Sequence, residues 1–105
     1  MIGIDLVYLP EFKQQLTKGG QTFINKAFNP SEQKDDRIEH LAGLWAAKEA
    51  VIKASDLSAG DWLEINITSD GTGKPTAIVG DNEYAISITH HGDYAVAVAL
   101  NLDHV

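Results

Sequence analysis

The sequence contains no cysteine, which excludes disulfides, thiolate metal sites and cysteine nucleophiles. A disulfide-stapled secreted fold is excluded with them. No apolar run approaches the ~20 residues needed to span a bilayer, and no basic stretch precedes the apolar segment at Met1. Neither a membrane span nor a secretory leader is therefore expected, and a cytoplasmic location follows by default. Basic side chains are scarce: 8 Lys and Arg stand against 15 Asp and Glu, a formal net charge of -7. Phosphate backbones repel such a chain, so non-specific nucleic-acid binding is excluded as its main task. Charged content of 22% and hydrophobic content of 44% are otherwise ordinary for a globular protein. With 105 residues, one domain spanning 1–105 is expected, without room for a second core.

What the chain does have is a strong helix. Residues 41–53 read LAGLWAAKEAVIK, rich in alanine, leucine and lysine, with only Gly43 weakening the run. At about 100° per residue, Glu49 falls beside Ile38, Ala42 and Trp45, and Lys53 follows one turn later. A carboxylate on an apolar stripe must be paired, protonated or bound to a metal, because an isolated buried charge costs several kcal/mol. The simplest partner is Lys53 in a plain helix pair, worth a few tenths of a kcal/mol. The other is Asp5. It interrupts the apolar strand MIGIDLVYL at residues 1–9 and leaves from the face opposite Ile4 and Leu6. Ala42 and Ala46 would let that strand approach the helix closely.

Elsewhere the pattern predicts one more helical region and a meander. Pro10 suits the first turn of a helix to about Lys18, Gly19 and Gly20 end it, and a short helix covers 22–27. Asn29, Pro30 and Glu32 carry a helix-start signal with a capping box, and the charged stretch 34–39 should be solvated. The central helix gives way over 55–61. The apolar period then becomes two: Leu63, Ile65 and Ile67 alternate with Glu64, Asn66 and Thr68. Further strands are expected over 76–79, 84–90 and 94–102, with turns at 70–73, 80–82 and 91–93. In the last strand Ala95, Ala97 and Ala99 share one face, suited to close packing by a helix, opposite Val96, Val98, Leu100 and Leu102. The class is α+β: an N-terminal strand, helices with one long central helix, and an antiparallel β meander.

Most candidate chemistries fall away. The glycine-rich turn 70–73 lacks the spacing of a Walker loop or a dinucleotide fingerprint, and no serine sits in a nucleophile elbow. His40, His90, His91 and His104 show no zinc-ligand spacing. His90, on a face with Ile86 and Ile88, reads first as a satisfied core histidine. The acidic pair Asp5 and Glu49 survives, with Lys53 beside it. Two carboxylates and no soft ligand favour Mg²⁺, which keeps its waters and bridges to substrate phosphates. That chemistry is metal-assisted phosphoryl or phosphodiester transfer.

Five segments then appear in order: GID at 3–5, FNPSE at 28–32, LAGLWAAKEAVIKA at 41–54, GKP at 73–75 and SITH at 87–90. Together they resemble the holo-acyl-carrier-protein synthase group of 4′-phosphopantetheinyl transferases, from residue 3 to about residue 99. The resemblance implies transfer of phosphopantetheine from coenzyme A to a serine of an apo acyl carrier protein. It implies that Asp5 and Glu49 hold Mg²⁺ on the pyrophosphate and that Lys53 neutralises charge on the leaving phosphate. The serine's proton would pass to Glu49 or to a water on the metal. Gly73, Lys74 and Pro75 match a hairpin near the nucleotide, and His90 matches a residue beside the coenzyme. A homotrimer with active sites between subunits is implied too, and the second apolar side of the central helix (Leu44, Ala47, Val51) is compatible with it.

Three departures matter. The usual glycine-rich loop after the central helix is replaced by the shorter, acidic segment at 55–60. Leu44 stands where relatives commonly carry arginine. The stretch 10–27 offers only Lys13, Lys18 and Lys26 for gripping an acidic carrier. Two readings follow: an active transferase serving a less acidic, specialised carrier, or a catalytically weak homologue acting as a carrier-protein or coenzyme A binding and assembly module.

Overall fold

A computed structural model describes residues 1–104. Strand β1 (Ile2–Tyr8) runs directly into α1 (Leu9–Ala27), whose first turn holds Pro10 where its missing N–H costs nothing. The two helices expected here form one element with a break at Gly20, whose φ of 55° and ψ of −147° only glycine adopts cheaply. A 3-10 turn (Pro30–Gln33) leads to α2 (Ile38–Ala54), which is longer than its predicted core by a turn at its start. After a second 3-10 turn (Trp62–Glu64) come β2 (Asn66–Ser69), β3 (Pro75–Val79), β4 (Asn82–His91) and β5 (Tyr94–Asn101). All pairs are antiparallel, in the order β1-β5-β4-β3-β2.

The register explains how β1 serves the helix. Gly3 pairs with Ala99, Asp5 with Ala97 and Val7 with Ala95, so these side chains share the face that α2 covers. Ala95, Ala97 and Ala99 are fully buried there, as the alanine pattern predicts. The crossing is tight: a Cβ on Gly3 would lie 1.9 Å from the Ala50 carbonyl oxygen. Gly3 thus sits directly on the backbone of Ala50 and Ala54, while Ala42 and Ala46 are fully buried. Behind the helix, Trp45 is ringed by Phe12, Phe23, Phe28 and Trp62, with centroids 6.2, 5.3, 6.3 and 4.7 Å away.

Two charged residues are sealed inside. Lys48 Nζ lies 2.6 Å from Glu32 Oε1, and both side chains are wholly buried. Every strong demand is met. Glu32 accepts from the Asn29 and Ile67 N–H groups, each at 2.7 Å, while Lys48 also donates to the Trp62 carbonyl at 2.9 Å. Lys48 also stands over the Phe28 ring, 5.6 Å from its centroid. The capping role read for Glu32 is real, but its second oxygen and its cation make it a clamp on α2, the 62–64 turn and β2. Asn29 also donates its side-chain amide to the Ile65 carbonyl at 3.0 Å, tying the start of the Pro30–Gln33 turn to the residue before β2.

Three expectations need correction. Residues 63–68 are not one strand, because the Trp62 carbonyl takes both the Ile65 N–H and Lys48, closing a turn that leaves Leu63 half-exposed. Leu102 falls in a turn beyond β5. The α2 side carrying Leu44, Ala47 and Val51 is core, not a free surface. The exposed apolar surface is the outer face of the sheet: Ile2, Ile4 and Leu6 are 64, 59 and 61% exposed, and Tyr8 packs on Tyr94 at 5.3 Å. Among the described residues no helix is long and apolar enough to cross a membrane.

Candidate active site

Glu49 lies on α2 one turn after Trp45, half-buried, on the flank where β1 crosses. The expected helix pair with Lys53 is not what the structure builds. Lys53 reaches across instead, donating to the Ile4 carbonyl at 2.9 Å and to Asp5 Oδ1 at 3.1 Å. Its own side chain is 56% exposed and that of Asp5 only 17%. The lysine therefore pins the β1 backbone at the residue before Asp5 and keeps its charge at the surface.

Burial raises the pKa of Glu49 above the ordinary carboxylate range, and the nearby charge of Asp5 raises it further. Lys53 and the Trp62 indole pull the other way. Two carboxylates are thus held close enough to repel, with one cation at the rim. No third His, Asp or Glu among the described residues joins them. Such an all-oxygen pair fits a hard divalent cation that relieves the repulsion and takes its other ligands from water and phosphate.

A second group of expected residues lies elsewhere. Gly73, Pro75 and His90 line a cleft of about 520 Å³, together with Ser31, His40, Gly43 and Ser69. His90 is exposed, not a core histidine; its Nε2 meets the Glu39 carbonyl at 3.0 Å. Gly43 makes room for it, since a Cβ there would lie 3.3 Å from the ring. Lys74 is not part of the lining. Its N–H and that of Thr72 donate to Asp70 Oδ1 at 3.1 and 2.8 Å, so 70–74 is the hairpin turn its sequence predicts. Asp5 and Lys53 border a separate shallow hollow with Ile4, Leu6 and Val96. Within one copy of the chain, the carboxylate site and the cleft are distinct.

The lysines are split as well. Lys13 and Lys18 flank one hollow with Pro10, Gln14 and Thr17. Lys26 borders another with Asp61, Trp62 and Glu64, so the three do not make one patch beside Asp5. The residue that sequence reasoning missed is Trp62. Its pattern position gave no hint that its indole would be turned to the helix flank. Gly3 was missed too, although alternation places it on the same face as Asp5.

Comparison with known proteins follows the same outline. Residues 1–99 match the 4′-phosphopantetheinyl transferase superfamily. The chain is 36% identical to a holo-[acyl-carrier-protein] synthase from Protochlamydia amoebophila (strain UWE25), covering 94% of each. It is similar to the crystal structure of Helicobacter pylori holo-[acyl-carrier-protein] synthase in complex with coenzyme A, with a TM-score of 0.86 and 27% identity, covering 96% of this chain and 99% of that one. A Chronobacterium ammoniagenes synthase–coenzyme A complex gives a TM-score of 0.78 at 36% identity, covering 95% of this chain and 94% of that one.

Proposed function

The chain belongs to the 4′-phosphopantetheinyl transferase superfamily, and we propose that it is a holo-acyl-carrier-protein synthase using coenzyme A, with Asp5, Glu49 and Lys53 as its reacting centre. The observation that carries this is the β1–α2 crossing, where two carboxylates and an ammonium meet in a chain alike over nearly its whole length to such synthases. The serine oxygen of the carrier forms a bond to the phosphorus bearing the pantetheine arm. The bond from that phosphorus to the bridging oxygen breaks, and 3′,5′-adenosine bisphosphate leaves. Asp5 and Glu49 would hold Mg²⁺, which when bound polarises the phosphate oxygens. Lys53 Nζ stands at the rim as a fixed counter-charge for the leaving phosphate. The serine proton passes to Glu49 or to a water held at the same site. The test is incubation with coenzyme A, Mg²⁺ and a panel of apo carriers. A carrier gains the mass of one phosphopantetheine; no gain with any of them, despite coenzyme binding, would favour the binding-module reading.

Gly73, Pro75 and His90 would receive the nucleotide end in the cleft, with Lys74 reaching it from the turn above. Because this cleft and the carboxylates are separate within one copy, the coenzyme lies between neighbouring copies. The exposed outer face of the sheet supports the same arrangement, since Ile2, Ile4, Leu6, Tyr8 and Tyr94 offer a continuous apolar surface for self-association. A homotrimer is the assembly this predicts. Sedimentation equilibrium at micromolar concentration should give three chain masses; a stable monomer with full turnover would sink the shared site.

Carrier choice follows from charge. With a net charge of -7 and its α1 lysines split between two hollows, the protein offers an acidic partner no strong steering. Each exposed lysine contributes well under ~1 kcal/mol. The cognate carrier is accordingly a less acidic, specialised one. Transfer rate per unit carrier is expected to fall only shallowly between low and high ionic strength. A steep fall, with a preference for a strongly acidic carrier, would show that recognition works through a concentrated basic patch after all.

A further inference from the structure

The Trp62 indole N–H is, among the described residues, the buried side-chain donor without a hydrogen-bond partner. Orphaned buried donors are uncommon, because each gives up its hydrogen bond to water without replacement until it finds an acceptor. Trp62 is firmly held in every other respect. Its ring packs on Trp45 at 4.7 Å, and its carbonyl is fixed by Lys48 Nζ at 2.9 Å and by the Ile65 N–H at 3.2 Å. Trp45 and Glu49 are one helical turn apart on the same flank of α2. The indole stacked on Trp45 therefore stands beside the Glu49 carboxyl and already helps hold that group's pKa down, although its N–H does not yet make a well-aligned hydrogen bond.

We infer that the Trp62 indole N–H is a positioning group for Glu49, donating to one carboxylate oxygen when the side chain takes up its working geometry and leaving the other oxygen for the reacting centre. This rests on the transferase reading of the Asp5–Glu49 site. A carboxylate on a helix flank has several side-chain torsions free, and one neutral donor on a rigid ring selects among them without cancelling its charge. The buried Lys48–Glu32 pair acts one step further out, since Lys48 fixes the backbone that carries the indole. Removal of such an outer-shell donor commonly lowers activity about 10- to 100-fold.

The test has two readouts. Trp62→Phe keeps a ring on Trp45 and removes the N–H. Its kcat should fall about 10-fold or more while KM for coenzyme A stays within about twofold; an unchanged kcat overturns the role. The second readout uses the wild-type protein and needs no turnover. The sequence has two tryptophans, so the indole ¹H–¹⁵N spectrum shows two resonances, and Trp62→Phe assigns them. If that variant fails to fold, Trp45→Phe makes the assignment instead. On addition of coenzyme A and Mg²⁺, the Trp62 indole proton should move downfield and that of Trp45 should barely move. The backbone amides of Gly43 and Gly73 report coenzyme binding independently. An unmoved Trp62 indole beside shifted cleft amides overturns the positioning role alone, whereas unmoved cleft amides overturn the transferase reading with it.

Discussion

Asp5→Ala and Glu49→Ala are each expected to abolish phosphopantetheine transfer while leaving a folded protein. Neither residue holds the core together. The ion pair of Asp5 is with a half-exposed lysine, worth well under ~1 kcal/mol, and Glu49 makes no ion pair among the described residues. Glu49 is in fact a burden at neutral pH. Its folded pKa lies above its unfolded one, so the stability linked to its proton is full below the unfolded value and is lost as pH rises through the raised folded value. The melting temperature of Glu49→Ala at pH 7 should therefore equal or exceed that of the wild type, with the difference closing near about pH 4. A variant that kept near-normal turnover would remove the two-carboxylate site. Lys53→Met, which keeps the stem and deletes the charge, should lose roughly 10²-fold in rate at little cost in stability. Loss of stability with the rate intact would instead reduce Lys53 to a pin on β1.

Lys48→Met should do the opposite, costing about 3–5 kcal/mol of stability because it strands the Glu32 carboxylate in the core. For a domain of this size that lowers the melting temperature by roughly 15 °C or more. The expense comes from the orphaned partner rather than from any large net gain in the intact pair. Burial already lowers the pKa of Lys48, against the pull of Glu32, which marks how unfavourable its charge is there. The double variant Glu32→Gln with Lys48→Met, which leaves no charge behind, should recover part of the loss. Glutamine can still accept one of the Asn29 and Ile67 N–H bonds. Differential scanning calorimetry decides this, and a single variant melting within a degree or two of the wild type would show that water reaches the pair.

Much of this was legible in the order of residues. The alanine face of β5, the central helix and the opposition of Asp5 to Ile4 and Leu6 follow from period two and period 3.6 alone, and they place the acidic pair at one crossing. The partner of Lys53 was not legible, because a helix pair and a reach to β1 leave the same spacing in sequence. Lys48 shows the limit from the other side: it lies one turn from Leu44 on an apolar flank, so its burial was readable, but its counter-ion sits on a distant turn. His90 illustrates a third case. Alternation put it on the correct face, yet only the bare backbone of Gly43 decides that the ring ends at a cleft mouth rather than in the core.

The pairing of β1 with β5 sets the order in which this protein comes into being. Ile2 pairs with Leu100 and Tyr8 with Tyr94, so β1 is made early and its partner late. At roughly 5–20 residues per second on the ribosome, β1 waits on the order of ten seconds for β5. Through that interval Ile2, Ile4 and Leu6 belong to a strand with neither neighbour nor cover, and contacts between such distant segments are slow to form. Only α2, available midway, can shelter its inner face. A stalled or C-terminally clipped chain would carry every residue of the acidic site and still leave Asp5 unplaced, with an apolar edge open to aggregation. Turnover by this protein is thus also a report that β5 has been made and has found β1.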